Sequence, residues 1–85
     1  MTLDAGNRLT VELTHTESLG TLWIVRVLKK GALRTRVECS DWFLDEDQAA
    51  RYARTVAEEL RSGLPLAKIR QRSPGWVYRP DAPVA

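Results

Sequence analysis

The most informative stretch of the chain is residues 21–39, TLWIVRVLKKGALRTRVEC, in which two strand-like segments flank a glycine. Residues 21–28 are rich in leucine, tryptophan, isoleucine and valine, and β-branched and aromatic residues favour a strand over a helix. The next three residues, 29–31, end in glycine, and a three-residue hairpin loop commonly has glycine at its last position, where the backbone is left-handed. The stretch therefore predicts a β-hairpin in which Leu28 pairs with Ala32.

This register separates the two faces of the hairpin by chemistry. It places Arg26 opposite Arg34, and it continues with Ile24 opposite Arg36. A competing two-residue loop, 30–31, would mix apolar and charged side chains on each face, and a slip of one residue moves a whole apolar set to the wrong side. We therefore predict the three-residue loop. The apolar face then contains Trp23, Val25, Val27, Leu33, Thr35, Val37 and Cys39.

An amphipathic helix follows the hairpin. Asp45 and Gln48 have the spacing of a capping box, in which the aspartate carboxylate accepts an early backbone N–H of the helix. Gly63 predicts a left-handed end to the helix, and Pro65 prevents its continuation. Apolar residues spaced by three and four form one stripe that would pack on a sheet. They are Ala49, Tyr52, Ala53, Val56, Ala57 and Leu60.

The rest of the chain completes the predicted fold. Residues 1–7 have no period and predict a loose lead-in, whereas residues 8–14 alternate strictly between polar and apolar, as in a half-buried strand. Residues 66–72 fit either a short helical turn or a fourth strand. We therefore predict an α+β fold, a three-stranded antiparallel meander packed on one long α-helix. This β-β-β-α domain covers residues 8–64, and a short basic C-terminal segment with a frayed tail covers residues 65–85.

The composition limits the class of protein. A domain of 85 residues buries only about 60–65% of the surface that its unfolded chain exposes, which leaves little room for a deep pocket. One cysteine and one histidine cannot supply the ligands of an ordinary zinc site, and a single cysteine forms no disulfide within the chain. The sequence has no recognisable signal peptide or membrane-spanning run. We predict a cytoplasmic protein with no membrane contact, no cofactor and no small-molecule substrate.

No residue has the surroundings that catalysis requires. His15 lies in a threonine-rich loop without a clear nucleophile or orienting partner. Cys39 lies on the predicted buried face beside Glu38 and Asp41, and a reactive thiolate needs an electropositive, partly exposed environment. The sequence therefore predicts neither catalytic nor metal-binding residues, and we do not expect an enzyme.

A basic sheet face is the main candidate for function. The formal net charge is only +2, but Arg26, Arg34 and Arg36 would cluster on the face opposite the helix, with Lys29 and Lys30 at the hairpin end. Arginines facing each other across a hairpin repel, so this arrangement is costly unless an anionic partner uses it. Guanidinium groups bind phosphates and guanine edges in bidentate fashion. The simpler interpretation is a solvated outer face, which half-buried antiparallel sheets have by default.

The order of these features resembles a known type of DNA-binding domain. A tryptophan-bearing strand, a basic hairpin, a third strand, a phenylalanine and a capped helix with alanine and an aromatic residue follow one another. The residues are Trp23, Lys29–Gly31, Arg34–Cys39, Phe43, Asp45–Gln48, Ala49 and Tyr52. The stretch is similar to the three-stranded-sheet-plus-helix domains of ethylene-response-type transcription factors and to the arm-site-binding domains of tyrosine integrases. The resemblance implies DNA as partner, with Arg26, Arg34 and Arg36 at the DNA-reading positions.

Two other surfaces remain as alternatives. Leu22 and Ile24 are apolar on the predicted polar face, and a lone sheet has open edges. These features suit a protein-interaction module or a homodimer. The C-terminal segment interleaves cations with aromatic rings, a pattern that suits single-stranded nucleic acid. Its residues are Lys68, Arg70, Arg72, Trp76, Tyr78 and Arg79.

Overall fold

The structure is a computed structural model that describes residues 1–17 and 20–71. Four strands follow one another along the first half of the chain. They form one antiparallel sheet in the order β1-β2-β3-β4, and two helices follow it. The elements are β1 (Thr2–Asp4), β2 (Leu9–Thr16), β3 (Leu22–Lys30), β4 (Thr35–Phe43), α1 (Glu46–Arg61) and α2 (Leu66–Gln71). The predicted α+β class, the antiparallel meander and the long helix are confirmed.

The number of strands differs from the prediction because residues 1–7 contain β1. This strand pairs with β2, with Leu3 opposite Val11. It is too short for an alternating pattern, and backbone hydrogen bonds hold it in place, including one from the amino group of Met1 to the carbonyl of Leu13 at 3.0 Å. Three residues are too few to show a repeating pattern, so the sequence did not reveal this strand, although Leu3 packs against the core.

The core lies between one face of the sheet and α1. Alternate residues of β2 and β3 face the helix, and the small alanine side chains of α1 allow the helix to lie close to them. Ala5 and Ile69 add to this core from outside the sheet and α1, and Asp41 of β4 is buried beside it. The central members are Val11, Leu13, Val25, Val27, Phe43, Ala49, Ala53, Val56, Ala57 and Leu60.

Both predicted ends of α1 are confirmed. The Asp45 carboxylate accepts the backbone N–H of Gln48 at 3.0 Å, as an N-terminal cap does. Gly63 has φ +98°, the left-handed conformation that ends many helices. Residues 66–71 then form a second, short helix, which is the helical one of the two alternatives for this segment.

The predicted hairpin register is wrong. The chain turns later than predicted, since β3 continues to Lys30 and β4 begins at Thr35, so Lys29 pairs with Arg36 instead of lying in a loop. A β-bulge follows, because Leu28 pairs with Val37 but Val27 pairs with Cys39, which leaves Glu38 as an extra residue. After the bulge, in the direction of the chain, Cys39 and Phe43 of β4 lie on the face that packs against the helix. Val37 is therefore 57% exposed, although the predicted register placed it on the buried face.

The reason for a glycine at position 31 also differs from the prediction. Gly31 is not among the glycines with positive φ, which in the described residues are Gly6, Gly20 and Gly63. Its N–H donates to the carbonyl oxygen of Arg34 at 2.8 Å, so the chain reverses at Ala32 and Leu33. A Cβ at position 31 would lie 2.9 Å from that oxygen, closer than real Cβ atoms approach. Close backbone approach, rather than a left-handed backbone, requires glycine here.

Candidate nucleic-acid interface

The structure does not form the predicted basic sheet face. Arg26 lies on the face away from α1, opposite Ser40 rather than Arg34. Its Nη1 is 3.5 Å from Oε1 of Glu12, the residue directly across from it on β2. Because the chain turns at Ala32 and Leu33, Arg34 and Arg36 lie nearer the hairpin end than the predicted register placed them. Arg26 is therefore separated from the other predicted binding residues and has an acidic neighbour.

The other four predicted residues do come together, at the end of the sheet where β3 turns into β4. Lys29 and Lys30 are the last residues of β3, Arg34 directly precedes β4, and Arg36 is the second residue of β4. Arg8 joins them, because its carbonyl accepts the N–H of Lys30 at 2.9 Å. All five side chains are exposed. We call this group of residues, Arg8, Lys29, Lys30, Arg34 and Arg36, the basic tip.

The basic tip has cations on both faces of the two-stranded ribbon. Strand alternation places the Lys29–Arg36 pair on one face and Lys30 on the other. Two shallow depressions reflect this division. Lys29, Arg34 and Arg36 line one depression, and Arg8 and Lys30 line the other.

The charges in the basic tip are only partly balanced. Lys29 lies directly across from Arg36, and like charges in that position destabilise a strand pair by a few tenths of a kcal/mol to about 1 kcal/mol. Glu38 offsets this, since its Oε1 is 3.5 Å from Nη2 of Arg36. This ion pair is exposed on the arginine side, where solvent weakens it. An anion near the ribbon end would relieve the remaining repulsion.

Arg8 has an unfavourable backbone conformation. Asn7 and Arg8 have φ of 49° and 64°, and the N–H of Leu9 donates to the carbonyl of Gly6 at 2.7 Å. Positive φ at both central residues is the signature of a type I′ turn, which favours Asn-Gly. Asparagine tolerates this conformation, but arginine does not adopt it readily. An arginine at the glycine position of such a turn points to a use for its side chain.

Replacing this arginine by glycine is expected to stabilise the protein. Arg8→Gly should raise the free energy of unfolding by about 0.5–1 kcal/mol, because glycine removes the left-handed strain at a smaller entropic cost. Urea unfolding followed by circular dichroism measures the change. Arg8→Ala is the matched control, since it removes the same guanidinium but keeps a Cβ, and it should give no such gain. Destabilisation by Arg8→Gly would show that the side chain itself supports the fold.

Sequence reasoning missed Arg8 as a member of the site. The alternating pattern assigned it to the polar face of the first strand, and only the turn geometry shows that it lies next to the end of β3. The signal that was available is local: glycine and asparagine directly precede this residue, and both tolerate the left-handed backbone of a tight turn.

The alternative interaction residues are differently placed. Leu22 is half-buried, and Ile24 is only 4% exposed although it lies on the face away from α1. A partner could reach Ile24 only after a rearrangement, which disfavours a docking surface centred there. Of the C-terminal candidates, Lys68 and Arg70 lie on α2. The remainder, Arg72, Trp76, Tyr78 and Arg79, lie outside the described residues.

The residues considered for catalysis have structural neighbours. The His15 ring packs on Trp23 with centroids 5.0 Å apart, and its Nε2 is 3.8 Å from the Glu17 carboxylate. Cys39 faces the helix side and packs against the core, as predicted.

Neither α1 nor α2, the helices of the described range, is long and apolar enough to cross a membrane. Comparison of the chain with protein-family models, curated proteins and solved structures found no match.

Proposed function

We propose that this protein is a small, non-enzymatic module that binds duplex nucleic acid, with DNA as the expected partner, and that the basic tip makes the phosphate contacts. One observation carries the proposal: five exposed cations meet at one end of the sheet, on both faces of a narrow ribbon. Their mutual repulsion is a cost in the free protein that a polyanion removes.

The two-sided charge favours a groove over a flat anionic surface. Two-stranded β-ribbons bind DNA in either groove, and a ribbon inside a groove has a phosphate backbone on each side. Lys29 and Arg36 would contact one backbone, and Arg8 and Lys30 the other. A ribbon lying on a flat surface would use the cations of one face only.

This mode differs from the one that the resemblance implied. In the domains that the sequence resembles, the outer face of the sheet contacts the DNA bases, and Arg26 would be one of the contacting residues. Here Arg26 has Glu12 at 3.5 Å, and Ile24, two residues earlier on the same face, is buried. The ribbon end, where exposed cations outnumber acids, is better suited to phosphate than the middle of the sheet.

Salt dependence of binding tests the proposal. Fluorescence anisotropy with a labelled duplex should give log K that falls with log salt concentration with a slope of about −4 to −5, as expected for five phosphate contacts. Arg34→Ala should reduce this slope by about one. Arg54→Ala, an exposed substitution of the same charge on α1, is the matched control and should leave the slope unchanged. Absence of binding at low salt, or equal slopes for the two variants, would refute the assignment.

A further inference from the structure

One apolar side chain stands out at the apex of the basic tip. Leu33 is 98% exposed, and the next most exposed large apolar residue of the described range, Leu44, is 80% exposed. It lies on the two-residue reversal between Gly31 and Arg34, where nothing in the fold requires a large apolar group. Together with Lys29 and Arg36 it lines the depression on one face of the ribbon.

We infer that Leu33 is a wedge that inserts between base pairs when the ribbon enters the minor groove of a duplex. The inference rests on the proposed function, since the surrounding cations must first bring the ribbon to the duplex. Proteins that bind and bend DNA through its minor groove commonly insert an exposed apolar side chain, leucine among them, into a base step and so partly unstack it. Insertion requires an apolar side chain at the very end of the ribbon, with phosphate-binding cations behind it. Leu33 lies at that end, and the cations of the basic tip lie behind it.

The shape of the turn suits insertion. The hydrogen bond between Gly31 and Arg34, 2.8 Å from nitrogen to oxygen, leaves only Ala32 and Leu33 at the apex. Because the side chain of Ala32 is small, the side chain of Leu33 extends furthest from the apex. The cations next in the chain, Lys30 and Arg34, would remain at the level of the phosphates on each side.

A membrane surface fits the same residues less well. Stable attachment to a lipid interface requires a broad apolar face or a second anchoring signal. The apex offers one large apolar side chain, with cations on opposite faces of the ribbon, so a lipid layer could engage only one of the two faces. The two-sided charge therefore favours a groove, and anionic vesicles become an arm of the test.

Insertion predicts a preference for duplexes that are already unstacked. Unstacking a base step has a free-energy cost, which is lowest at a mismatched or flexible step. The wild-type protein should therefore bind a duplex with a central mismatch about tenfold more tightly than the perfect duplex of the same sequence. A 2-aminopurine beside the mismatch should also become more fluorescent on binding, because stacking quenches it.

The experiment compares three proteins on the two duplexes. Leu33→Ser should lose the mismatch preference and the fluorescence change while it keeps the salt-dependent binding of the perfect duplex. Leu44→Ser is the matched control, since Leu44 is 80% exposed beyond the opposite end of β4, and it should behave as the wild type. A wild-type protein without mismatch preference, or a Leu33→Ser variant that retains it, would overturn the wedge.

The outcomes separate the wedge from the function on which it rests. Equal, salt-dependent binding of both duplexes by all three proteins would refute the wedge and leave duplex binding in place. No binding of either duplex would refute both. Cosedimentation with phosphatidylserine-containing vesicles that depends on Leu33, without any mismatch preference, would assign the apex to a membrane surface and also overturn the wedge.

Discussion

Reversing two charges of the basic tip, with Lys29→Glu and Arg36→Glu together, is expected to weaken duplex binding at least about a hundredfold at low salt. Each substitution removes a cation and places an anion at the same point beside the phosphates. The two positions lie opposite each other on exposed ends of β3 and β4, so one like-charged pair replaces another. Electrophoretic mobility shift with a labelled duplex measures the loss.

The control for this variant must have the same net charge and an intact fold. Arg51→Glu with Arg54→Glu changes the net charge equally on the exposed face of α1. Its binding should fall by much less than that of the basic-tip variant. Equal losses for the two variants would mean that overall charge, and not the basic tip, determines binding. Loss of the Arg36–Glu38 ion pair should cost the basic-tip variant no more than about 1 kcal/mol of stability.

Truncation of Ile69 is expected to destabilise the protein strongly. Ile69 of α2 is 1% exposed and belongs to the same core as the sheet and α1. Ile69→Ala should lower the free energy of unfolding by about 2–5 kcal/mol, from lost burial and the cavity left behind. In a domain of this size that is a large share of the total stability.

Urea unfolding of Ile69→Ala measures this loss, and the neighbouring Lys68→Ala is its control. Lys68 is exposed on the same short helix, so its truncation should change the stability by less than about 0.5 kcal/mol. A small effect of Ile69→Ala would mean that α2 is not part of the cooperative unit.

The helix and the strand types were predictable because their signals are local. The alanine stripe of α1, its cap at Asp45 and its end at Gly63 each depend on residues within a few positions of one another. The alternation of β2 is equally local. These features needed no knowledge of which segments pair.

The register was not predictable, because it depends on where the chain turns and on a bulge. The turn at Ala32 and Leu33 pairs Leu28 with Val37 instead of Ala32, before the bulge shifts the pairing by one more residue. Glu38 is the extra residue, and no residue type marks it as such. Without the bulge, Val37 and Cys39 would share a face, as the alternating pattern indicates. The structure instead leaves Val37 exposed and turns Cys39 toward the core. The apolar and charged side chains of this hairpin are therefore not separated onto two faces in the way that the predicted pairing required.

The candidate site was predictable in composition but not in position. Lys29, Lys30, Arg34 and Arg36 are close in sequence, so any hairpin brings them near one another. Whether Arg34 and Arg36 share a face with Arg26 depends on the register, and the observed register places them on the other face. Arg8 is distant in sequence and joins the group only through the pairing of β2 with β3.

Amide chemical shifts during titration with an unlabelled duplex test the central claim most directly. The account predicts that the largest changes occur at Arg8 and residues 29–36, and that the middle of the outer sheet face changes little. Thr10, Arg26 and Ser40 report on that face, because they lie there on three neighbouring strands. Changes concentrated at Thr10, Arg26 and Ser40, with a silent hairpin end, would contradict the account.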